Sequence, residues 1–93
     1  MPLKFEWDEN KAETNLAKHG VRFDDATTIF GDASSITISD PAHSELEPRL
    51  ITIGTSYWGK LLVVVHTDRG ESIRLISARP ASRKERKHYE DKS

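Results

Sequence analysis

The run Leu61-Leu62-Val63-Val64-Val65, continuing through His66 to Thr67, constrains this chain more than any other stretch. Successive residues of a strand point to opposite faces of a sheet. Here both alternating sets are apolar, so the segment reads as a central strand covered on two sides. At five residues the run is far short of the ~20 that span a bilayer, and it is the longest apolar run present. The chain has 93 residues, enough apolar surface for one core, so residues 1–93 read as a single domain.

Other elements arrange themselves around that strand. Leu3-Lys4-Phe5-Glu6-Trp7 alternates apolar and polar residues and predicts a short half-buried strand. Asp8 is placed to cap a helix running to about His19, with Gly20 as its left-handed stop. Ala12, Leu16 and His19 fall on one face of that helix, and Lys11, Asn15 and Lys18 form a polar stripe beside it. After Val21-Arg22-Phe23, Asp24 or Asp25 caps a second helix through Phe30, broken by Gly31-Asp32. Ser34 to Asp40, ended by Pro41, and Arg49 to Tyr57 read as strands, joined by a polar connection from Ala42 to Pro48. Trp58-Gly59 turns the chain into the central strand, and Asp68-Arg69-Gly70 turns it into a last strand, Glu71 to Arg79. A C-terminal helix begins near Pro80, a residue tolerated in a helix's first turn. The expected fold is α+β: an N-terminal strand and two helices, an antiparallel sheet meander, and a C-terminal helix, with helices packed on one face.

Charge is unevenly spread. Residues 1–48 carry four Lys/Arg against ten Asp/Glu, whereas residues 74–93 carry seven against three. The split predicts an acidic surface and a basic one, the latter suited to phosphate.

Absent residues exclude whole chemistries. With no cysteine there is no disulfide, thiolate metal site or cysteine nucleophile. There is no glycine-rich phosphate loop, no His-Glu-x-x-His zinc helix and no Gly-x-Ser-x-Gly elbow. His19, His43, His66 and His88 lack ligand spacing, so neither metal nor cofactor is expected. No apolar secretory leader opens the chain, which makes the cytoplasm the expected location and leaves no expected membrane partner.

What remains is a set of cations near element ends. Lys11, Asn15 and Lys18 are spaced to lie along one side of the first helix, and His19 closes it. Arg74 and Arg79 lie on the last strand, where their odd separation predicts opposite faces and different work. RNA carries its own nucleophile, the 2′-hydroxyl. A protein that cleaves it needs a base for that proton, cations for the charge of the pentacoordinate phosphorane, and an acid for the leaving 5′-oxygen. Lys, Arg, His, Glu and Tyr supply all three without a metal, and arginine grips phosphate bidentately. Each residue also has a structural reading. His19 is placed to bond the last helix carbonyls, Lys11 and Lys18 to be solvated cations, and Arg79 to anchor the final helix through a carboxylate. Trp7 reads as core, Glu85 and Tyr89 as a helix-packing pair, and His66 as a satisfied, partly buried imidazole.

Several strings together resemble one family. Phe5-Glu6-Trp7-Asp8-Glu9-Asn10-Lys11 leading to Asn15, followed by Lys18-His19-Gly20-Val21 and Phe23, resembles the opening of the BrnT toxins. Arg49 with Ile53-Gly54, Leu62 to Thr67, Ile73-Arg74-Leu75-Ile76-Ser77-Ala78-Arg79, and finally Ala81, Glu85-Arg86 and Tyr89 continue the likeness over about residues 3–90. The resemblance implies a toxin of a type II toxin–antitoxin pair with a RelE-like ribonuclease fold. Such a protein cleaves RNA without a metal, arrests growth, and is neutralised by a BrnA-like antitoxin. The antitoxin carries the DNA-binding domain, so operator DNA is met only through it. Carried over by position, the resemblance implies His19, Arg79 and Lys18 as catalytic residues, with Arg79 as phosphate clamp. It implies Lys11, Arg49, Arg74 and Tyr89 as substrate-binding residues. The competing expectation is a non-catalytic module that binds the antitoxin and acts as co-repressor. The acidic N-terminal half is the expected dock for a basic antitoxin segment.

Overall fold

The computed structural model describes residues 4–40 and 48–92. Leu3, Pro41, His43 and most of the connection from Ala42 to Pro48 lie outside the described residues. The elements are β1 (Lys4–Glu6), α1 (Glu9–His19), α2 (Phe23–Ala26), a 3-10 turn (Thr27–Gly31), β2 (Ile36–Ser39), β3 (Leu50–Thr55), β4 (Leu61–Arg69), β5 (Ser72–Pro80) and α3 (Arg83–Lys92). No helix among the described residues is long and apolar enough to cross a membrane.

One five-stranded sheet, in the order β1-β5-β4-β3-β2, organises the molecule. β2 to β5 form the expected antiparallel meander. The sheet is nevertheless mixed, because β1 joins the outer edge of β5 in parallel, Phe5 opposite Ile73 and Glu6 opposite Arg74. The long excursion through α1 and α2 lets β1 lie at the far edge, a pairing that no hairpin turn in the sequence announces.

Both faces of β4 are covered, as its composition requires. Leu62 and Val64 pack with Val21, Phe23, Ala26 and Ile29 from α2 and its surroundings, while Leu61 and Val63 join Ile53 beneath Ala81 and Tyr89. The helices therefore divide between the two faces, correcting the expectation of a single helical layer. Burying only one side of β4 would have left Leu61 and Val63 in water, at about 2 kcal/mol per side chain. The 3-10 turn crosses β3 closely enough that a Cβ on Gly54 would lie 3.1 Å from the Ile29 side chain, so only glycine fits there without displacement.

Element ends follow side-chain hydrogen bonding. Asp8 caps α1 by accepting from Asn10 N and Lys11 N, and Gly20, at φ +71°, donates its N–H to Leu16 O. Neither Asp24 nor Asp25 caps α2. Arg22 occupies that position without a capping side chain, and both aspartates sit in the first turn instead. α3 starts at Arg83, three residues after Pro80, which ends β5. Its start is a capping box: Ser82 Oγ accepts from Glu85 N at 3.1 Å, and Glu85 Oε1 accepts from Ser82 N at 2.8 Å.

The most consequential irregularity lies in β5. Val65 pairs with Ser77 but His66 pairs with Leu75, leaving Ile76 as an extra residue in a β-bulge. The inserted residue shifts the alternation by one. Arg79 pairs with Val63 and Arg74 with Thr67, so both arginines stand on the same sheet face, with Ser77 between them. The expected opposite placement is thereby overturned.

Candidate active site

α1 lies against β5, and the contact is polar. Beyond Glu6 the β1 strand ends, so the outer edge of β5 would present an unpaired peptide at Ala78. Asn15 fills that gap. Its Nδ2 donates to Ala78 O at 2.8 Å and to Val21 O at 3.0 Å, and its Oδ1 accepts from Ala78 N at 3.0 Å. The side-chain amide acts as one peptide of a missing strand. Asn15 is only 6% exposed, whereas Leu16 is 43% exposed. The polar stripe of α1 thus contains its buried anchor, and the expected apolar face is partly open to solvent. An unpaired buried peptide costs about 1–3 kcal/mol per group, which exceeds the gain from covering part of a leucine.

That anchor positions the neighbouring cations. Asn10, Lys11, Thr14, Lys18 and His19 on α1 and Ile76 and Ser77 on β5 line one open groove, with Asn15 along its floor. The bulge contributes directly, since Ile76 is the extra residue and Ser77 is the next one toward Arg79. Lys11 and Lys18 are exposed and His19 is half-buried. Among the described residues no hydrogen bond or ion pair engages these three side chains. His19 does not close the helix end, because the Gly20 N–H does so. Lys18 and His19 also sit in the last turn of α1, where positive charge is favoured by the helix dipole.

The arginines flank this groove on β5 and are held by carboxylates. Arg74 Nη1 donates to Glu6 Oε2 at 3.0 Å, across the β1–β5 pairing. Arg79 grips Glu85 with both terminal nitrogens, at 2.7 Å each. The hydrogen bonds from Arg79, reinforced by the Ser82 amide and hydroxyl and opposed by partial burial, hold the Glu85 carboxyl down at about 2. Arg79 lies two residues beyond Ser77, about 7 Å along the strand. Its guanidinium is therefore near the groove but committed to α3.

Two expected contributors lie elsewhere. Arg49 precedes β3, and its carbonyl accepts from Asp40 N. Tyr89 donates from Oη to Asp32 Oδ2 at 2.5 Å and accepts from Thr55 Oγ1 at 3.2 Å, fastening α3 over β3. Burial pushes the Asp32 carboxyl up, but hydrogen bonds from Tyr89, Thr55 N and Ser34 N outweigh it and leave it below its ordinary value. Glu85 and Tyr89 do not bond each other; Glu85 ties α3 to Arg79 of β5, and Tyr89 ties it to Asp32 and Thr55.

Sequence reasoning missed Ser77, Asn10 and Thr14 as groove residues. Ser77 stands beside the bulged Ile76 where α1 docks on β5, and no turn residue marks that bulge. His66 is buried, its Nε2 2.8 Å from Thr52 Oγ1, with Phe30 edge-on at 4.9 Å. Its Nδ1 has no partner among the described residues, so the imidazole is only half satisfied. Burial pushes its pKa below the usual histidine value. No group of three or more His, Asp or Glu that could hold a metal ion occurs among the described residues.

A second groove runs along the opposite side of α1. It has an apolar floor of Trp7, Ala12, Leu16 and Phe23 and carries Glu9, Glu13 and Asp24, with Arg22 bonded to Asp24.

Over residues 7–85 the chain matches the sequence model of a family described as the ribonuclease toxin BrnT of type II toxin–antitoxin systems. It is also similar to the crystal structure of the ribonuclease toxin BrnT of Brucella abortus, with 29% sequence identity and a TM-score of 0.64, over 88% of this chain and 100% of that one. No curated protein matches.

Proposed function

We propose, from the premise that this chain belongs to the BrnT family of ribonuclease toxins of type II toxin–antitoxin systems, that it cleaves RNA without a metal in the α1–β5 groove. The observation that carries the reading is the convergence of Lys11, Lys18 and His19 with Ser77 on one open surface. These cations come from the acidic half of the chain, so net charge conceals a locally basic strip.

The chemistry divides among them. The RNA 2′-hydroxyl attacks the adjacent phosphorus, the P–O bond to the 5′-oxygen breaks, and a 2′,3′-cyclic phosphate and a 5′-hydroxyl result. His19 exchanges the proton, since imidazole serves as base or acid near neutral pH. Lys18 and Lys11 neutralise the phosphorane's charge, their ammonium groups being uncommitted to any other partner among the described residues. Arg79 supplies a bidentate clamp when Glu85 releases it, and Arg74 guides the backbone beside it. Arg49 and Tyr89 stand outside this set.

The reading includes the family's RelE-like character, action in the cytoplasm, growth arrest, and neutralisation by a BrnA-like, DNA-binding antitoxin through which operator DNA is reached. The groove of Trp7, Leu16, Glu9 and Glu13 suits a basic amphipathic antitoxin segment, apolar at its floor and acidic at its rim. Inducing the chain alone in bacteria tests the proposal: growth arrest with RNA loss that Lys18→Ala and His19→Ala abolish supports it, and arrest with intact RNA counts against it.

A further inference from the structure

Large aromatic side chains seldom project into water from a rigid turn without use. Tyr57 is 77% exposed and Trp58 68% exposed, side by side at the β3–β4 turn with their rings edge to face at 5.0 Å. The turn beneath them is firmly built: Ser56 N donates to Lys60 O at 2.7 Å, Gly59 N to Ser56 O at 2.9 Å, and Lys60 N to Ser56 Oγ at 3.1 Å. Tyr57 N donates to Thr28 Oγ1 at 2.8 Å and Trp58 Nε1 to Asp25 Oδ1 at 3.1 Å, which fixes the indole's orientation. Covering aromatic rings in the fold is the ordinary outcome, and these are instead held open.

Trp58 and Lys60 border a recess whose opposite wall is Gly20 and Val21. Gly20 follows His19, which lines the α1–β5 groove, so the C-terminal end of α1 borders both recesses. A strand leaving Lys18 and His19 past the end of α1 can therefore continue toward Trp58 and Lys60. Asp25 beside the indole disfavours phosphate there and favours a neutral ring, while Lys60 at the rim suits the adjoining phosphate.

We propose that Trp58, braced edge to face by Tyr57, forms a stacking platform for one base of single-stranded RNA that leaves the α1–β5 groove. The inference rests on the ribonuclease reading above and adds the substrate class, since a base stacked inside a duplex has no free face to offer. Aromatic stacking tolerates any base, so the platform contributes affinity with little sequence preference.

The test uses a short 2′-O-methyl RNA, which binds but lacks the nucleophile, with affinity followed by fluorescence anisotropy. Trp58→Ala is expected to weaken binding about tenfold and Trp58→Phe less than threefold, the range of one lost stacking contact. Moving a single abasic site along the oligonucleotide is expected to cost wild type affinity at one position and to cost Trp58→Ala nothing there. Unchanged affinity of Trp58→Ala, in a protein whose Lys18→Ala variant binds weakly, overturns this inference and leaves the ribonuclease reading standing. Wild type that neither binds the oligonucleotide nor cleaves the unmodified RNA overturns both. Intact RNA binding with loss of the antitoxin complex assigns the aromatic pair to the protein partner and overturns the inference too.

Discussion

Asn15 and Ala78, sixty-three residues apart, exchange two hydrogen bonds, the side-chain amide of one standing against the peptide of the other at 2.8 and 3.0 Å. This exchange fixes the register of α1 on β5, and with it where Lys11, Lys18 and His19 stand relative to Ser77. A single amide thus links the end of the sheet pairing to the geometry of the proposed site.

Asn15→Ala removes both bonds and the one to Val21 O, leaving buried peptide groups unpaired. We predict a loss of about 3 kcal/mol, read from the urea midpoint at constant m-value. A loss below about 1 kcal/mol means that water satisfies the β5 edge and that α1 is held by something else.

Arg79 and Glu85 give a second prediction. Glu85 titrates at about 2 in the folded protein against 4.5 ordinarily, so the stability it confers is complete above about 4.5 and drains away as pH falls toward 2. The side chains are 42% and 27% exposed, so solvent screening reduces the contribution to about 1 kcal/mol. Glu85→Gln should flatten that part of the acid-unfolding curve. It also frees the guanidinium, so RNA affinity should hold or rise in Glu85→Gln and fall in Arg79→Ala. Equal losses in the two variants mean that Arg79 serves only to dock α3.

His66 predicts sensitivity at milder pH. Burial lowers its pKa from 6.5, so above that value both folded and unfolded chains are neutral and nothing is lost. Below it the unfolded chain takes up a proton that the folded one resists, and stability falls with pH. His66→Gln, which keeps a polar contact with Thr52 and cannot be protonated, should lose this slope below the ordinary histidine value of 6.5. An unchanged slope assigns it to another group.

The acidic groove along α1 yields a prediction about assembly. Glu13→Lys should weaken capture of the antitoxin several-fold, more at low salt than at high, and leave RNA cleavage intact. Antitoxin affinity indifferent to Glu13→Lys places that contact on another surface.

Much of this was legible in the residues, where local chemistry decides the outcome. Asp8 and Gly20 bounded α1 because their caps are local. Leu61 to Val65 announced a strand covered on two sides because both its faces are apolar. What escaped was decided by partners far along the chain. The parallel docking of β1 depends on an excursion through two helices, and the burial of Asn15 depends on a strand edge sixty-three residues away. The bulge at Ile76 carries no glycine or proline, so counting by twos sent Arg74 and Arg79 to opposite faces. The Ser82-x-x-Glu85 box was readable in principle, but Pro80 drew the expected helix start three residues early. For the site, α1 supplied Lys11, Lys18 and His19 in plain view. Ser77 joins them only through the docking of α1 on β5, and the exposure of Tyr57 and Trp58 depends on what the β3–β4 turn leaves uncovered.

Cleavage of a single-stranded RNA by purified protein in excess EDTA separates metal-free catalysis at the α1–β5 groove from every alternative. Wild type is expected to give cyclic-phosphate products and His19→Ala a rate lower by about 10²–10³, with Lys18→Ala also impaired and both variants folded. Full activity in a His19→Ala/Lys18→Ala double variant, or cleavage by wild type that EDTA abolishes, would contradict metal-free catalysis at this groove.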